Sequence, residues 1–216
     1  MLVEDTTKIQ KFFENSKGKI SPQRKALLIS IAEKTHSVLL HTNSTIHLHF
    51  ICTHNSRCSQ LAQIWAHYAS HYFEIQDVKT YSGGTSVTSI HRNTIKALQK
   101  TGFHIDIATL NHQNSKYLIH FNEQIAPLCV YSKLYDDDHN SEPCISITTC
   151  RHAEEVSPFI SGAIWRFYLP YASPKKFDNS KKEEKAYAIL NLQIASEMFF
   201  LFNELKKLHL PLPTKQ

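Results

Sequence analysis

The feature that most constrains this chain is the run from Ile46 to Tyr72. IHLHFIC alternates apolar residues with histidines, is rich in strand formers, and leads into the polar segment THNSRCS. Leu61, Ile64, Trp65, Tyr68 and Tyr72 then recur at the three-and-four spacing of a helix with one buried face. The unit is strand, short loop, helix, with Cys52 where the strand ends. A helix N-terminus carries unpaired N–H groups and the positive end of the helix dipole, and a tight loop aims further N–H groups at the same point. That field favours a thiolate over a thiol and also binds an oxyanion. Cys52 is therefore the candidate nucleophile, and Ser59, seven residues on, is placed to donate its hydroxyl to the thiolate. The plainer alternative for Cys52 is a strand-end cysteine that only packs.

The alternation continues downstream. A second strand near Val78 to Tyr81 ends at Ser82-Gly83-Gly84, and Ile95 and Leu98 mark an amphipathic helix closing at Gly102. Tyr117 to Phe121, Pro127 to Ser132 and Ile145 to Thr149 are strand-like, the last running into Cys150. Tyr187, Leu190, Ile194, Met198, Leu201 and Leu205 step by three or four along one long helix. Upstream, Ser21-Pro22 starts a helix running to about Lys34, inside an N-terminal helical extension over 1–42; the main domain spans 43–210. The pattern predicts an α/β fold with a mostly parallel sheet and helices on both faces.

Composition narrows the function classes. With 216 residues, 42% apolar and 20% charged, the chain can bury an ordinary globular core. Five cysteines with no CxxC pair argue against a disulfide framework and a four-thiolate zinc site, and fit a reducing compartment. Cys129 and Cys144 lie in strand-like runs and are expected in the core. The charged N-terminus and apolar runs far short of the ~20 residues that span a bilayer point to a cytoplasmic protein without a membrane partner. A net charge of +5 on scattered Lys and Arg suits an anionic substrate and not a nucleic acid. His67 and His71 share a helix face with no acidic residue within a turn, and read as a solvated polar face. Asp136-Asp137-Asp138 has ligands for Mg²⁺ or Ca²⁺ but reads as a solvated turn. No metal and no cofactor is expected.

Cys52-Thr53-His54-Asn55-Ser56-Arg57-Cys58-Ser59, set between strand and helix, resembles the CX5R-[ST] phosphate loop of the low-molecular-weight protein tyrosine phosphatases and thioredoxin-coupled arsenate reductases. Tyr81-Ser82-Gly83-Gly84-Thr85 resembles the segment after that superfamily's second strand. Ile147-Thr148-Thr149-Cys150 with Ala153, Glu154, Glu155 and Pro158 resembles the region of the reductases' first resolving cysteine, and Tyr171-Ala172-Ser173-Pro174 falls where the general-acid loop is carried. The resemblance covers about residues 46–207. It implies a cysteine-dependent phosphatase, acting on phosphotyrosine or a small aryl phosphate, or an arsenate reductase-like enzyme. Cys52 would be the nucleophile and Ser59 the thiolate stabiliser. Thr53, His54, Asn55, Ser56, Arg57 and Cys58 would surround the oxyanion, and Cys150 would be a resolving thiol. The implied partners are a phosphorylated protein or small oxyanion as substrate, and thioredoxin or another thiol donor.

Three positions depart from the pattern. The loop arginine belongs at position 58, where Cys58 stands with Arg57 one place early. A thiol cannot grip two oxygens as a guanidinium does, and losing one such preorganised donor costs ~3 kcal/mol or more. Arg57 is expected to be a solvated or loop-bracing arginine rather than a replacement phosphate ligand. Ser173 takes the place of the acidic residue and is too weak an acid to protonate a leaving phenolate; Asp178 would need a different loop path. Ser157 stands where the reductases carry a second resolving cysteine, leaving a shorter relay from Cys52 to Cys150 or to Cys58. The alternative function is a degenerate, catalytically weak relative that binds an oxyanion or a phosphorylated partner, or a thiol redox switch.

Overall fold

A computed structural model describes residues 2–209 other than 19, 43, 44 and 158, without the side chains of 2–6 and 42. Pro158 and both ends of the 43–210 span thus lie outside the described residues. Helices α1 (Leu2–Asn15) and α2 (Pro22–Thr42) precede β1 (Ile46–Cys52), α3 (Cys58–Tyr72), β2 (Val78–Gly84) and α4 (Arg92–Thr101). Three strands follow, β3 (His104–Thr109), β4 (Lys116–His120) and β5 (Leu128–Val130). The chain then forms β6 (Cys144–Thr148), α5 (Arg151–Val156), β7 (Ala163–Tyr168), a short 3-10 helix (Pro174–Phe177) and α6 (Glu183–His209).

The central sheet is parallel in the order β2-β1-β6-β7. Alternation along β1 sets its two faces. Ile46, Leu48 and Phe50 enter a core shared with Leu61, Ile64 and Trp65 of α3 and Leu190, Ile194 and Met198 of α6. Ile51 faces the other way, onto Ala153 of α5 and Ile160. The α/β architecture matches the sequence expectation, and α4 ends at Gly102 in the left-handed region, φ 112°.

The two N-terminal helices add to the main core. Ile9, Phe13, Leu28, Ile31 and Ala32 are buried in it, and Phe13 stacks on Trp65 with ring centroids 5.5 Å apart and planes 3° from parallel. Trp65 Nε1 donates to Asn191 Oδ1 of α6 at 2.8 Å, so this large residue is buried with its polar atom paired.

Three features differ from the sequence reading. The segments around residues 117–121 and 127–132 do form strands, but with β3 they make a separate antiparallel sheet, β3-β4-β5. β7 gave no strand signal because it is an edge: Ile164, Trp165 and Tyr168 are all partly exposed, so burial leaves no clean alternation. Cys129 is exposed on three-residue β5, contrary to its expected place in the core, whereas Cys144 is buried. No helix among the described residues is long and apolar enough to cross a membrane.

Candidate active site

The loop after β1 turns through Asn55, whose φ of +45° lies in the left-handed region that Asn tolerates better than most residues. Its side chain, fully buried, holds the turn. Nδ2 donates to Ser59 Oγ at 2.9 Å, and Oδ1 accepts from Gln60 Nε2 at 2.9 Å and from the Lys133 backbone N–H at 3.0 Å. Ser59 Oγ lies 3.0 Å from Cys52 Sγ. Because that oxygen already accepts from Asn55, its own proton is left to donate to the sulfur, as a thiolate requires.

The carbonyls of the loop point outward. Cys52 O accepts from Thr85 N at 3.1 Å, Thr53 O from Ser86 N at 2.9 Å, and His54 O from Ser132 Oγ at 2.9 Å. Asn55 O accepts from Gln60 Nε2 at 3.1 Å, and Ser56 O from both His91 N and Thr94 Oγ1 at 3.1 Å. The N–H groups of residues 53–57 have no protein acceptor among the described residues, which leaves them for an anion. Gly84 makes this packing possible: a Cβ there would sit 2.8 Å from Thr53 O, 2.9 Å from Asn55 N and 2.7 Å from Ser86 O.

A cavity of about 430 Å³ opens over the loop. Cys52, Thr53, His54, Ser56, Arg57 and Cys58 line one side, and Cys150, His152, Ser173 and Lys175 the other. Asn55 and Ser59 lie beneath it as braces. Cys150 stands at the N-terminal boundary of α5, just past the end of the strand next to β1, with its sulfur 3.3 Å from Thr53 Oγ1. Burial first, then the neighbouring Cys52 and Cys150, pushes the Cys58 thiol up, so Cys58 stays protonated near neutrality. Burial, with Lys175, Arg57 and His152 nearby, holds the His54 imidazole below its ordinary value.

Arg57 ties the loop to α6 and to the segment before it. Its Nε donates to Tyr187 Oη and its terminal nitrogen to Asp178 Oδ2, both at 2.6 Å, while Tyr187 Oη donates to Asp178 Oδ1 at 2.8 Å. Asp178 follows the short 3-10 helix capped by Ser173 and is thereby carried to Arg57. Ser157, buried at the end of α5, supplies no thiol. His152, Lys175 and Tyr187 carried no signal of a place at the site, since Tyr187 reads as one more packed position of its helix and meets Arg57 across 130 residues, and Lys175 sits in an unremarkable PKKF segment.

Among the described residues, the donor atoms of His91, Asp178 and Glu183 fall within 4.8 Å of one another. Part of its charge is already paired: Arg57 pairs with Asp178 and Arg92 lies 3.9 Å from Glu183, while His91 Nδ1 accepts from Asn93 N at 3.3 Å. The His67 and His71 rings do pair, 4.7 Å apart, but not as a solvated face. His67 is half-buried against Phe121, and burial, then His71, pushes it down to about 3.

No protein-family model matches the sequence, and no curated protein matches it. Solved structures do. A mutant of YwlE from Bacillus subtilis aligns with TM-score 0.51 at 14% identity, over 75% of this chain and 99% of its own. A low molecular weight phosphotyrosine phosphatase from Vibrio cholerae aligns with TM-score 0.50 at 12% identity, over 73% and 95%. An arsenate reductase in the phosphate binding state reaches TM-score 0.49 at 13% identity, over 74% and 99%. At such identities the likeness is one of fold, and with its parallel sheet, its loop at Cys52 and the helix behind it, this chain has the fold that YwlE and the low molecular weight phosphotyrosine phosphatase share.

Proposed function

We propose that the protein carries out thiolate chemistry on a tetrahedral oxyanion at Cys52, as an arsenate reductase-like enzyme with Cys150 as the resolving thiol. The observation that carries this reading is the pairing of an anion-ready loop with three thiols, Cys52, Cys58 and Cys150, around one cavity that no carboxylate lines among the described residues. Hydrolysis of an aryl phosphate needs an acid for the leaving oxygen, and Ser173 is a poor one. Reduction needs a second thiol instead.

In this reading the Cys52 thiolate attacks arsenic, and an arsenate oxygen leaves as water after taking up protons. Cys150, as its thiolate, then attacks Cys52 Sγ. The sulfur–arsenic bond breaks with its electron pair going to arsenic, which leaves as arsenite, and a Cys52–Cys150 disulfide forms. A dithiol protein of the thioredoxin kind restores both thiols. Cys58, buried and protonated, is the weaker candidate for the second step.

One observation favours a second reading. The Arg57 guanidinium is held by Asp178 and Tyr187, so it is not free to embrace an oxyanion, as suits a weak relative that binds phosphate without turning it over. The test is arsenate-dependent NADPH oxidation with thioredoxin and its reductase, run beside aryl phosphate hydrolysis, on the wild type, Cys52→Ser and Cys150→Ser. Both mutants are expected to lose arsenate reduction. Phosphatase activity that needs Cys52 but not Cys150, with no arsenate reduction, overturns the reductase assignment. Phosphate binding with neither activity establishes the second reading.

A further inference from the structure

A second cavity, of about 470 Å³, lies between β1 and the loop that leads to β6, and belongs to none of the chemistry above. Asp136, Asp137, Asp138 and Glu142 line it together with His49 and Asn140. Acidic side chains on a surface loop are commonplace, but two further groups set this cavity apart. His49 is only 3% exposed, and its Nε2 is buried with no hydrogen-bond partner. Its ring bonds the Ser82 backbone, so Nε2 is the nitrogen left for the cavity. Asn140 Nδ2 donates to the carbonyls of Leu134 and Tyr135, at 3.1 and 3.2 Å, which fixes the amide orientation and leaves a buried Oδ1 with no donor. Buried acceptors left unpaired cost free energy, and two of them in one acidic cavity call for a donor from outside the chain.

The charges agree. Asp137 is occupied, accepting from His139 and Tyr131. Asp136, Asp138 and Glu142 form no ion pair among the described residues, and the ammonium that acts on the other side is that of Lys133, near His49. A bare metal ion needs its ligands close together. No three His, Asp or Glu side chains of this cavity meet within 4.8 Å, since among the described residues only the His91 cluster does. An organic cation has the opposite geometry, with several N–H groups spread over a body that can reach separated acceptors.

We propose that this cavity is a recognition site for a small organic cation bearing a guanidinium or primary ammonium group. His49 Nε2 and Asn140 Oδ1 accept from it at depth, and Asp136, Asp138 and Glu142 supply charge at the mouth. The site is independent of Cys52 and of the function assigned to it.

The test is a titration of the full-length protein, labelled with ¹⁵N in its histidine rings, with agmatine, spermidine, Mg²⁺ and Zn²⁺ in turn. Agmatine or spermidine is expected to saturate at one equivalent and shift the His49 Nε2 resonance while that nitrogen remains unprotonated. Asp136→Asn with Asp138→Asn, on an exposed loop that tolerates them, is expected to weaken binding at least tenfold without changing Cys52 reactivity. His49→Gln should weaken it as well if the variant folds. The proposal is overturned if neither organic cation saturates at millimolar concentration, or if the paired aspartate variant binds as well as the wild type. It is equally overturned if Zn²⁺ or Mg²⁺ alone moves the His49 resonance with the higher affinity.

Discussion

One face of the parallel sheet sends Ile46, Leu48 and Phe50 into a core that also holds residues of α1, α2, α3, α4 and α6. The opposite face sends Ile51 into a cluster of three buried residues, beside His49 and the acidic loop. The Cys52 loop sits at the C-terminal edge between them, backed by the thick side and met by Cys150 from the thin side. The difference teaches how the two tasks are shared. Close packing on the α3 and α6 side fixes where Cys52 and Ser59 stand, while the thinly covered side leaves room for cavities and for the Cys150 turn.

Truncation on each face tests that division. Phe13→Ala, which removes the ring stacked on Trp65, should cost ~3–5 kcal/mol in denaturant unfolding. Ile160→Ala on the thin face should cost nearer ~2 kcal/mol, because surrounding loops can close over the gap. Equal losses at the two sites would mean that the faces are equally packed in solution.

A smaller effect on stability should come with a larger one on binding at the junction. Gly84→Ala places a methyl against three backbone atoms of the loop and its neighbours, an overpacking worth ~1–3 kcal/mol. Phosphate binding at Cys52 should fall at least tenfold, since the displaced atoms include Thr53 O and Asn55 N. Unchanged phosphate affinity in a folded Gly84→Ala would show that the N–H groups of this loop do not hold the anion.

Acid should act on both regions through two buried histidines. Burial first, then Lys133 for His49 and His71 for His67, lowers both histidines to about 3, against roughly 6.5 unfolded. The unfolded chain therefore binds more protons between these values, so stability is complete above about pH 6.5 and falls as pH drops toward 3. The slope approaches roughly 1.4 kcal/mol per pH unit for each histidine. His67→Phe should flatten the curve of unfolding free energy against pH in that window; an unaltered curve would place the proton uptake elsewhere.

The sequence by itself determined the local unit. A strand ending at Cys52, a polar turn and a one-sided helix are written in neighbouring residues, because hydrophobic period and helix-start chemistry act over a few positions. The same locality made β2, α4 with its Gly102 cap, and α6 legible. Strand character around residues 117–121 and 127–132 was also legible, but not the sheet it joins, since pairing is a choice among distant partners. Edge strand β7 was missed and Cys129 misplaced for the related reason that burial belongs to the assembled fold.

At the site, the sequence named Cys52, Ser59 and Cys150, and noted that Arg57 stands one place early. Only the tertiary structure decided that Arg57 is held by Asp178 and Tyr187, from 121 and 130 residues away, and that Lys175 and His152 complete the cavity. It also turned five loop carbonyls outward, through partners on α3 and α4, in the segment between β2 and α4, and at Ser132 after β5. A hydrogen bond between distant residues leaves no periodic trace in either one, so its geometry exists only once packing has brought them together.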